Sequence, residues 1–343
     1  MLVKLLTIWF RFWNKIVWCF SSTKKRIISI TLISALVCTG VGIGVGASIS
    51  AKKKAADMKA RGYCEMELSD DESYYIVTDV EDVDCTEIII PSEYKGKPIK
   101  EIGHGAFYGC SSLTEITIPD SVTSIGNYAF YECFSLTSID IPDSVTRIGG
   151  NAFAACRSLT NIDIPDSVTI IGYSAFYFCD SLTEITLPFV GATKDGTSNT
   201  HFGYIFGASD YSYNDDYVPA SLKKVTVTGG SIGDDAFRYC SSLTSVEIGD
   251  GVTSIGDNAF AYCDGLTSVV IPDSVMSIGT NAFNNCSSLT SITFEDTSTW
   301  YKTADYLDWQ NKTGGTETDV TNPSTNVKNF TYSLYCYYYW YKL

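Results

Sequence analysis

Between residues 86 and 294 the chain repeats one order of apolar and polar positions every 23 residues. From Leu136 it reads LTSIDIPDSVTRIGGNAFAACRS, and from Leu159 it reads LTNIDIPDSVTIIGYSAFYFCDS. The opening Leu-x-x-Ile-x-Ile alternates as a strand does when one face is buried and the other is wet. Pro119, Pro142, Pro165, Pro188 and Pro272 end the alternation, because proline has no N–H to donate to a ladder. An Ile-Gly pair follows, its glycine permitting a bend. Ala-Phe-x-x-Cys then predicts a short helical or 3-10 turn that returns the chain. A single unit cannot bury its apolar side, whereas stacked units form a continuous core. The pattern therefore predicts a solenoid with a parallel sheet on one face. Counting Ile88-x-Ile90 as the first strand gives nine strands and eight turns, a stack on the order of 40 Å long at sheet spacing.

The period shows in Cys110, Cys133, Cys156, Cys179, Cys240, Cys263 and Cys286, and in Phe107, Phe130, Phe153, Phe176, Phe237, Phe260 and Phe283. From Phe176 to Phe237 is 61 residues, 15 more than two periods. A divergent repeat fits that gap, with Phe202-Gly203 at the Ile-Gly position, Ile205-Phe206 at Ala-Phe, and Leu222-x-x-Val225-x-Val227 as the next strand. The expected order is an N-terminal cap and first strand at 63–100, repeats at 101–294 with an insertion at 189–221, and an aromatic cap at 295–343. In the cap, Trp300, Trp309 and the run Tyr337 to Tyr341 are suited to covering the last open rung.

Ahead of the repeats the pattern changes. Residues 27–50 carry no charge, enough to cross the ~30 Å hydrocarbon core as a helix. A cleaved signal peptide, cut before Ala51, is the alternative, although such segments have shorter apolar stretches and shorter leaders. Residues 1–26 form a basic, aromatic, amphipathic leader suited to the membrane interface, with Trp9, Trp13 and Trp18 at headgroup level. Residues 51–62 are a linker. Five basic residues lie near each end of the span, so charge does not orient it.

Charge divides the chain in the same place. Residues 1–61 hold eleven of the 24 basic groups and one acid, Asp57, a net of +10; the remaining 13 basic and 38 acidic groups leave −25 on the body. That body is a poor nucleic-acid partner. With two histidines in all, His104 and His201, His-rich metal sites are excluded. No GxSxG, HExxH or P-loop motif is present, and the expectation is a non-enzyme without cofactor or metal.

The unit LTxIxIPDSVTxIGxxAFxxCxS resembles the BspA-like leucine-rich repeats of bacterial surface proteins, over roughly residues 63–343 and almost letter for letter in five units. The resemblance implies a leucine-rich-repeat solenoid of the α/β horseshoe type, with a parallel β-sheet on one face and short helical or 3-10 turns on the other. It also implies a repeat domain outside the cytoplasm, membrane-anchored at the cell surface, or secreted if the leader is cleaved. Adhesion or recognition follows, toward an extracellular or host protein or another cell-surface protein, but the repeat does not name the ligand.

Within that frame, the exposed strand positions are the candidate ligand surface: Glu115, Thr117, Ser138, Asp140, Asn161, Asp163, Glu184, Thr186, Lys224, Thr226, Ser245 and Glu247. They are hydroxylic and acidic and suit a basic protein, or serve only to keep an exposed sheet soluble. The insertion adds Tyr204, Tyr211, Tyr213 and Tyr217, aromatics among carboxylates that suit a peptide or sugar or pack on neighbouring repeats. A structural envelope component binding glycan through cap and insertion is one alternative function, and a membrane-tethered intracellular scaffold is another. The cysteine column reads as buried thiols, because rungs 4.8 Å apart exceed the Cβ separation disulfides prefer. The aspartates of Pro-Asp-Ser read as turn residues bonding nearby N–H groups. The threonine column, from Thr114 to Thr290, reads as ordinary strand chemistry.

Overall fold

The computed structural model describes residues 61–62, 64–80, 83–194, 196–331 and 337–342. The expected leader, membrane span and all but the end of the linker lie outside the described residues. No helix among the described residues is long and apolar enough to cross a membrane.

The alternating segments pair in parallel. Asn161–Asp163, Glu184–Leu187, Lys224–Ile232 and Ser245–Ile255 follow one another in a ladder, with Asn161 opposite Glu184 and Glu184 opposite Lys224. Glu87–Ile89 pairs with Glu115–Thr117, and Ser268–Ile271 with Ser291–Phe294. The ladder begins one rung earlier than the repeat predicts, because Arg61–Gly62 pairs with Glu87 and Ile88. It also lacks one expected rung: residues 138–140 enter no ladder.

A second parallel ladder occupies the Ile-Gly positions, where the sequence predicted only a bend. Lys97–Ile102, Ser124–Ile125, Arg147–Ile148 and Ile170–Ile171 stack in order, and Ser231-Ile232, Ser254-Ile255 and Ser277–Ile278 continue beyond the insertion. The glycine that follows serves close approach and not bending freedom. A Cβ on Gly126 would lie 2.7 Å from the Gly103 carbonyl carbon, and one on Gly172 would lie 2.2 Å from the Gly150 nitrogen.

The Ala-Phe-x-x-Cys turns are not helical, which corrects the expected helical or 3-10 face; only the divergent turn of the insertion, Phe202–Phe206, is a 3-10 helix among the described return turns. Each Ala-Phe-x-x-Cys turn carries two residues in the left-handed region, the residue before Ala and the residue before Cys, as at Tyr128 (φ 58°) and Glu132 (φ 61°). That conformation cannot continue a helix. Alternating it with right-handed residues aims every second N–H along the stack: Phe107 donates to Ala129 (2.8 Å), Phe130 to Ala152 (2.7 Å) and Phe153 to Ala175 (2.8 Å).

Columns of like residues fill the core. Phe107, Phe130, Phe153 and Phe176 stack with centroids 5.2, 5.2 and 5.4 Å apart, and Phe237, Phe260 and Phe283 repeat this at 5.2 and 5.1 Å. The insertion bridges the two stacks with two rings in place of one. Phe206 leans on Phe176 (6.4 Å), Phe202 meets Phe237 (4.8 Å), and the two contact each other edge to face (5.1 Å). Phe202 therefore stands in the phenylalanine column, not at the Ile-Gly position its sequence context predicts. Its N–H donates to Ala236 (2.7 Å), as Phe237 donates to Ala259. Ile205 and Phe206 do take the Ala-Phe place, since Phe176 donates to Ile205 (2.8 Å).

The first rung is covered by an antiparallel pair, Cys64–Leu68 with Tyr75–Val80. Beyond the last rung, Tyr339–Lys342 runs antiparallel to Ser277–Ile278 and to Trp300–Thr303, with Trp300, Phe330, Trp340 and Tyr341 buried beneath.

Candidate functional site

The strand face holds the predicted ligand residues in two rows. Asn161, Glu184, Lys224 and Ser245 are register neighbours, and so are Asp163, Thr186, Thr226 and Glu247. Alternation turns Ile162, Ile185, Val225 and Val246 inward between the rows. Across the rows Lys224 Nζ meets Glu247 Oε1 at 3.0 Å, and the Thr226 hydroxyl donates to Glu247 Oε2 (3.1 Å). Hydrogen bonding and charge from Glu247 raise the Lys224 pKa, and the same lysine lowers that of Glu247. The Lys224 charge is thereby neutralised, while the neighbouring Lys223 sends its Nζ to Ser242 O (3.2 Å). Glu115, Asp140, Asp163 and Glu184 enter no ion pair among the described residues. Glu115, Thr117, Ser138 and Asp140 line a cavity of about 530 Å³.

The tyrosines of the insertion lie elsewhere. Residues 202–206 stack on the Ala-Phe turns: Ser174 donates to Tyr204 O, and Asn214 Nδ2 reaches Ala236 O and Arg238 O. Tyr204 is half-buried against Tyr173 (5.3 Å) and His201 (6.1 Å), and burial raises its hydroxyl pKa. Tyr211 lies beneath the Arg238 guanidinium (5.1 Å). Tyr213 and Tyr217 are exposed, the latter near Tyr177 (6.2 Å). The two predicted residue sets thus form separate surfaces, one on the strands and one on the turns.

Those turns also carry aromatics that strand-centred reasoning passed over. Tyr108 stacks on Tyr131 (5.0 Å) and Tyr239 on Tyr262 (4.9 Å), while Tyr108, Tyr128, Tyr173 and Phe178 are exposed. The signal was available: tyrosine recurs at the 23-residue step beside the Ala-Phe pair.

The cysteine column carries no reactive chemistry. No disulfide joins the described cysteines, and no cluster of three metal-binding side chains exists among the described residues. Five buried Sγ atoms, those of Cys133, Cys156, Cys179, Cys263 and Cys286, donate to the carbonyl of the preceding rung, as Cys156 to Phe130 (3.2 Å) and Cys263 to Phe237 (3.1 Å). Burial pushes the Cys286 thiol up to about 12, which keeps it protonated. The Pro-Asp-Ser turns close through the backbone, Val122 donating to Pro119 (3.0 Å) and Val168 to Pro165 (3.0 Å), and not through the expected aspartate bonds. Asp166 instead accepts from the Thr228 hydroxyl (2.5 Å). Threonine hydroxyls bond along the stack, Thr183 to Thr160 O (3.0 Å) and Thr290 to Thr267 O (3.1 Å), which leaves no free hydroxyl donor array at those rungs.

A family model described as the BspA type leucine rich repeat region matches residues 81–195 and 219–309 in six copies. No curated protein sequence matches the chain. Among solved structures, a leucine rich repeat protein of T. pallidum is 28% identical, covering 60% of this chain and 88% of its own, with a TM-score of 0.45. A leucine rich cell surface protein of Faecalibacterium prausnitzii is 22% identical over 74% of this chain and 97% of its own, with a TM-score of 0.30. The pneumococcal vaccine antigen PcpA is 17% identical over 68% and 82%, with a TM-score of 0.27. The matched residues cover more than half of the sequence and are the stacked rungs themselves, so the chain belongs to the BspA-type leucine-rich repeat family.

Proposed function

We propose that the protein is a non-catalytic recognition protein displayed at a cell surface, held to the membrane through residues 27–50, whose acidic strand face binds a basic partner protein. The observation that carries this reading is the set Glu115, Asp140, Asp163 and Glu184, exposed on one face without ion pairs among the described residues. A body of net charge −25 acts in the same direction, speeding encounter with a basic surface and weakening as salt rises. Family membership supports surface display. Protease shaving of intact cells tests the placement: the 63–343 region is expected to be lost before lysis, and protection until lysis favours the internal scaffold. Binding of the full chain to cell or matrix proteins tests the face. Lysine at all four carboxylate positions is expected to weaken capture tenfold or more, and unchanged capture ends the acidic-face reading.

Glycan binding is the second reading, favoured by the exposed turn tyrosines. In the cap, Trp300, Trp340 and Tyr341 are buried and support the fold, which leaves Tyr306 and Tyr337 exposed. Polysaccharide pull-down with Tyr108→Ser and Tyr173→Ser, set against Tyr337→Ser, separates turn from cap.

A further inference from the structure

The strand ladder loses its rung at 138–141, which pairs neither with 115–117 nor with 161–163. Glu115–Thr117 pairs on one side with Glu87–Ile89, but among the described residues no backbone hydrogen bond joins 114–118 to 137–141. The threonine column breaks there too. Thr160 donates through N and Oγ1 to Thr137 O (3.1 and 3.4 Å), and Thr183 does the same to Thr160 (2.8 and 3.0 Å), whereas Thr137 donates neither to Thr114. A second unpaired stretch, 245–248 against 268–271, keeps its threonine link, Thr267 to Thr244 (3.3 Å).

Behind the opening the same two rungs stay joined. Phe107 N donates to Ala129 O (2.8 Å), Gly126 N to Ile102 O (2.7 Å), and the Phe107 and Phe130 rings stack at 5.2 Å. The parting is confined to the strand face and holds the cavity of about 530 Å³, within the roughly 300–1,000 Å³ typical of ligand sites. Its floor is more open than the neighbouring core: Ile116, Ile118, Ile139 and Ile141 are 6–8% exposed, against 1–2% for Ile162, Ile164 and Ile185.

Two facing strand edges with unused N–H and C=O groups form a template for a third strand, since main-chain bonds supply affinity and alternate side chains supply selectivity. Alternation would place every second side chain of such a strand on the isoleucine floor. The outward side chains would pass between Glu115 and Ser138, and then between Thr117 and Asp140. Each outward place offers one carboxylate and one hydroxyl, which suits a lysine or arginine. We propose that an extended segment of a partner protein, basic and apolar by turns, inserts between 115–118 and 138–141 as an added strand. Its basic preference rests on the acidic-face reading above, and its insertion rests on the parted ladder.

The test uses the full chain and a capped synthetic peptide alternating lysine and valine over seven residues, alongside the same peptide N-methylated at alternate residues. Hydrogen exchange is followed over 113–142. The expected result is slowed exchange at Ile116, Ile118, Ser138 and Asp140, whose register turns their N–H groups into the opening, with the unmethylated peptide, at least tenfold weaker binding after methylation, and several-fold weakening by Asp140→Asn. Equal binding of both peptides, or binding without protection at the opening, overturns insertion while leaving the acidic face standing. Failure of both peptides to bind also overturns it, and the acidic face is then judged separately by its lysine variant on cells.

Discussion

The strand face and the turn edge of the same rungs are bonded unequally, and the inequality runs against what their sequences predict. At the turn edge, Gly105, Phe107 and Gly109 each donate to the next rung, at Asn127, Ala129 and Tyr131 (2.9, 2.8 and 2.8 Å). At the strand edge of that pair of rungs nothing is donated. A segment with strand-like alternation carries no ladder there, while a turn with helix-like spacing carries a full one. The cause is local: left-handed residues at every fourth turn position rotate alternate peptides parallel to the stack. At this pair of rungs the register is held by the turns and the phenylalanine column, and the strand face is free to part.

If so, damage to the turn column outweighs damage to the strands. Phe153→Ala removes a buried ring stacked on both sides, at 5.2 and 5.4 Å, and is expected to cost about 3–5 kcal/mol, read from the denaturant midpoint. A loss below about 1 kcal/mol would return the register to the strands. Gly172→Ala comes next. Its new Cβ meets backbone at 2.2 Å, atoms without a rotamer to yield, so a loss near the upper end of the overpacking range, about 3 kcal/mol, is expected. Gly109→Ala is the contrast, left-handed (φ 73°) but with nothing within 4 Å of the added carbon. Ala155 holds the same place two turns later, at φ 60°, so the expected loss is only about 1 kcal/mol.

Exchange of backbone amides sharpens the comparison directly. Amides of 138–141 are expected to exchange at least tenfold faster than those of Ile162 and Ile185, a gap of about 1.4 kcal/mol in opening free energy, while turn amides such as Phe130 stay protected. Uniform protection across the three would close the proposed opening.

Here the limit of sequence reading is visible. The period, the phenylalanine and cysteine columns and the outward strand residues were legible because burial repeats with the alphabet: Leu136-x-x-Ile139-x-Ile141 faces inward as its neighbours do. Nothing in those letters separates that segment from Leu159-x-x-Ile162-x-Ile164, and no side chain accounts for its missing bonds. The turns were misread because Tyr128, Glu132 and Phe178 give no glycine-like sign of a positive φ. The second ladder was hidden because its strands at Ser124–Ile125 and Arg147–Ile148 are too short to show alternation. Phe202 and Phe206 share one column through the fold of the insertion, which spacing along the chain does not encode.

The smallest expected effect lies at the far end, where the two ladders are closed by different means. The strand ladder ends on a neutral amide, Asn326 Nδ2 donating to Ile292 O and Val320 O (2.9 Å each). The second ladder ends on a strand, Tyr339–Lys342, whose last lysine sends Nζ to Asp296 Oδ2 (2.7 Å) and Asp273 O (2.8 Å). Hydrogen bonds from Lys342 and from the Ser298 N–H hold the Asp296 carboxyl down at about 2. A depressed carboxylate stabilises the fold above its unfolded pKa near 4, and that contribution drains away as pH falls through about 2. With a third of the Asp296 side chain exposed, solvent screening reduces it to about 1 kcal/mol. Between pH 4 and 2 the second ladder should therefore loosen while the Asn326 closure holds. The readout is red-shifted emission as buried Trp340 meets water, with exchange at Ile292 unchanged. Asp296→Asn should begin from a weaker closure and lose this pH dependence. If the variant follows the native acid curve, the ion pair does not pin that end, and both ladders are closed by packing alone.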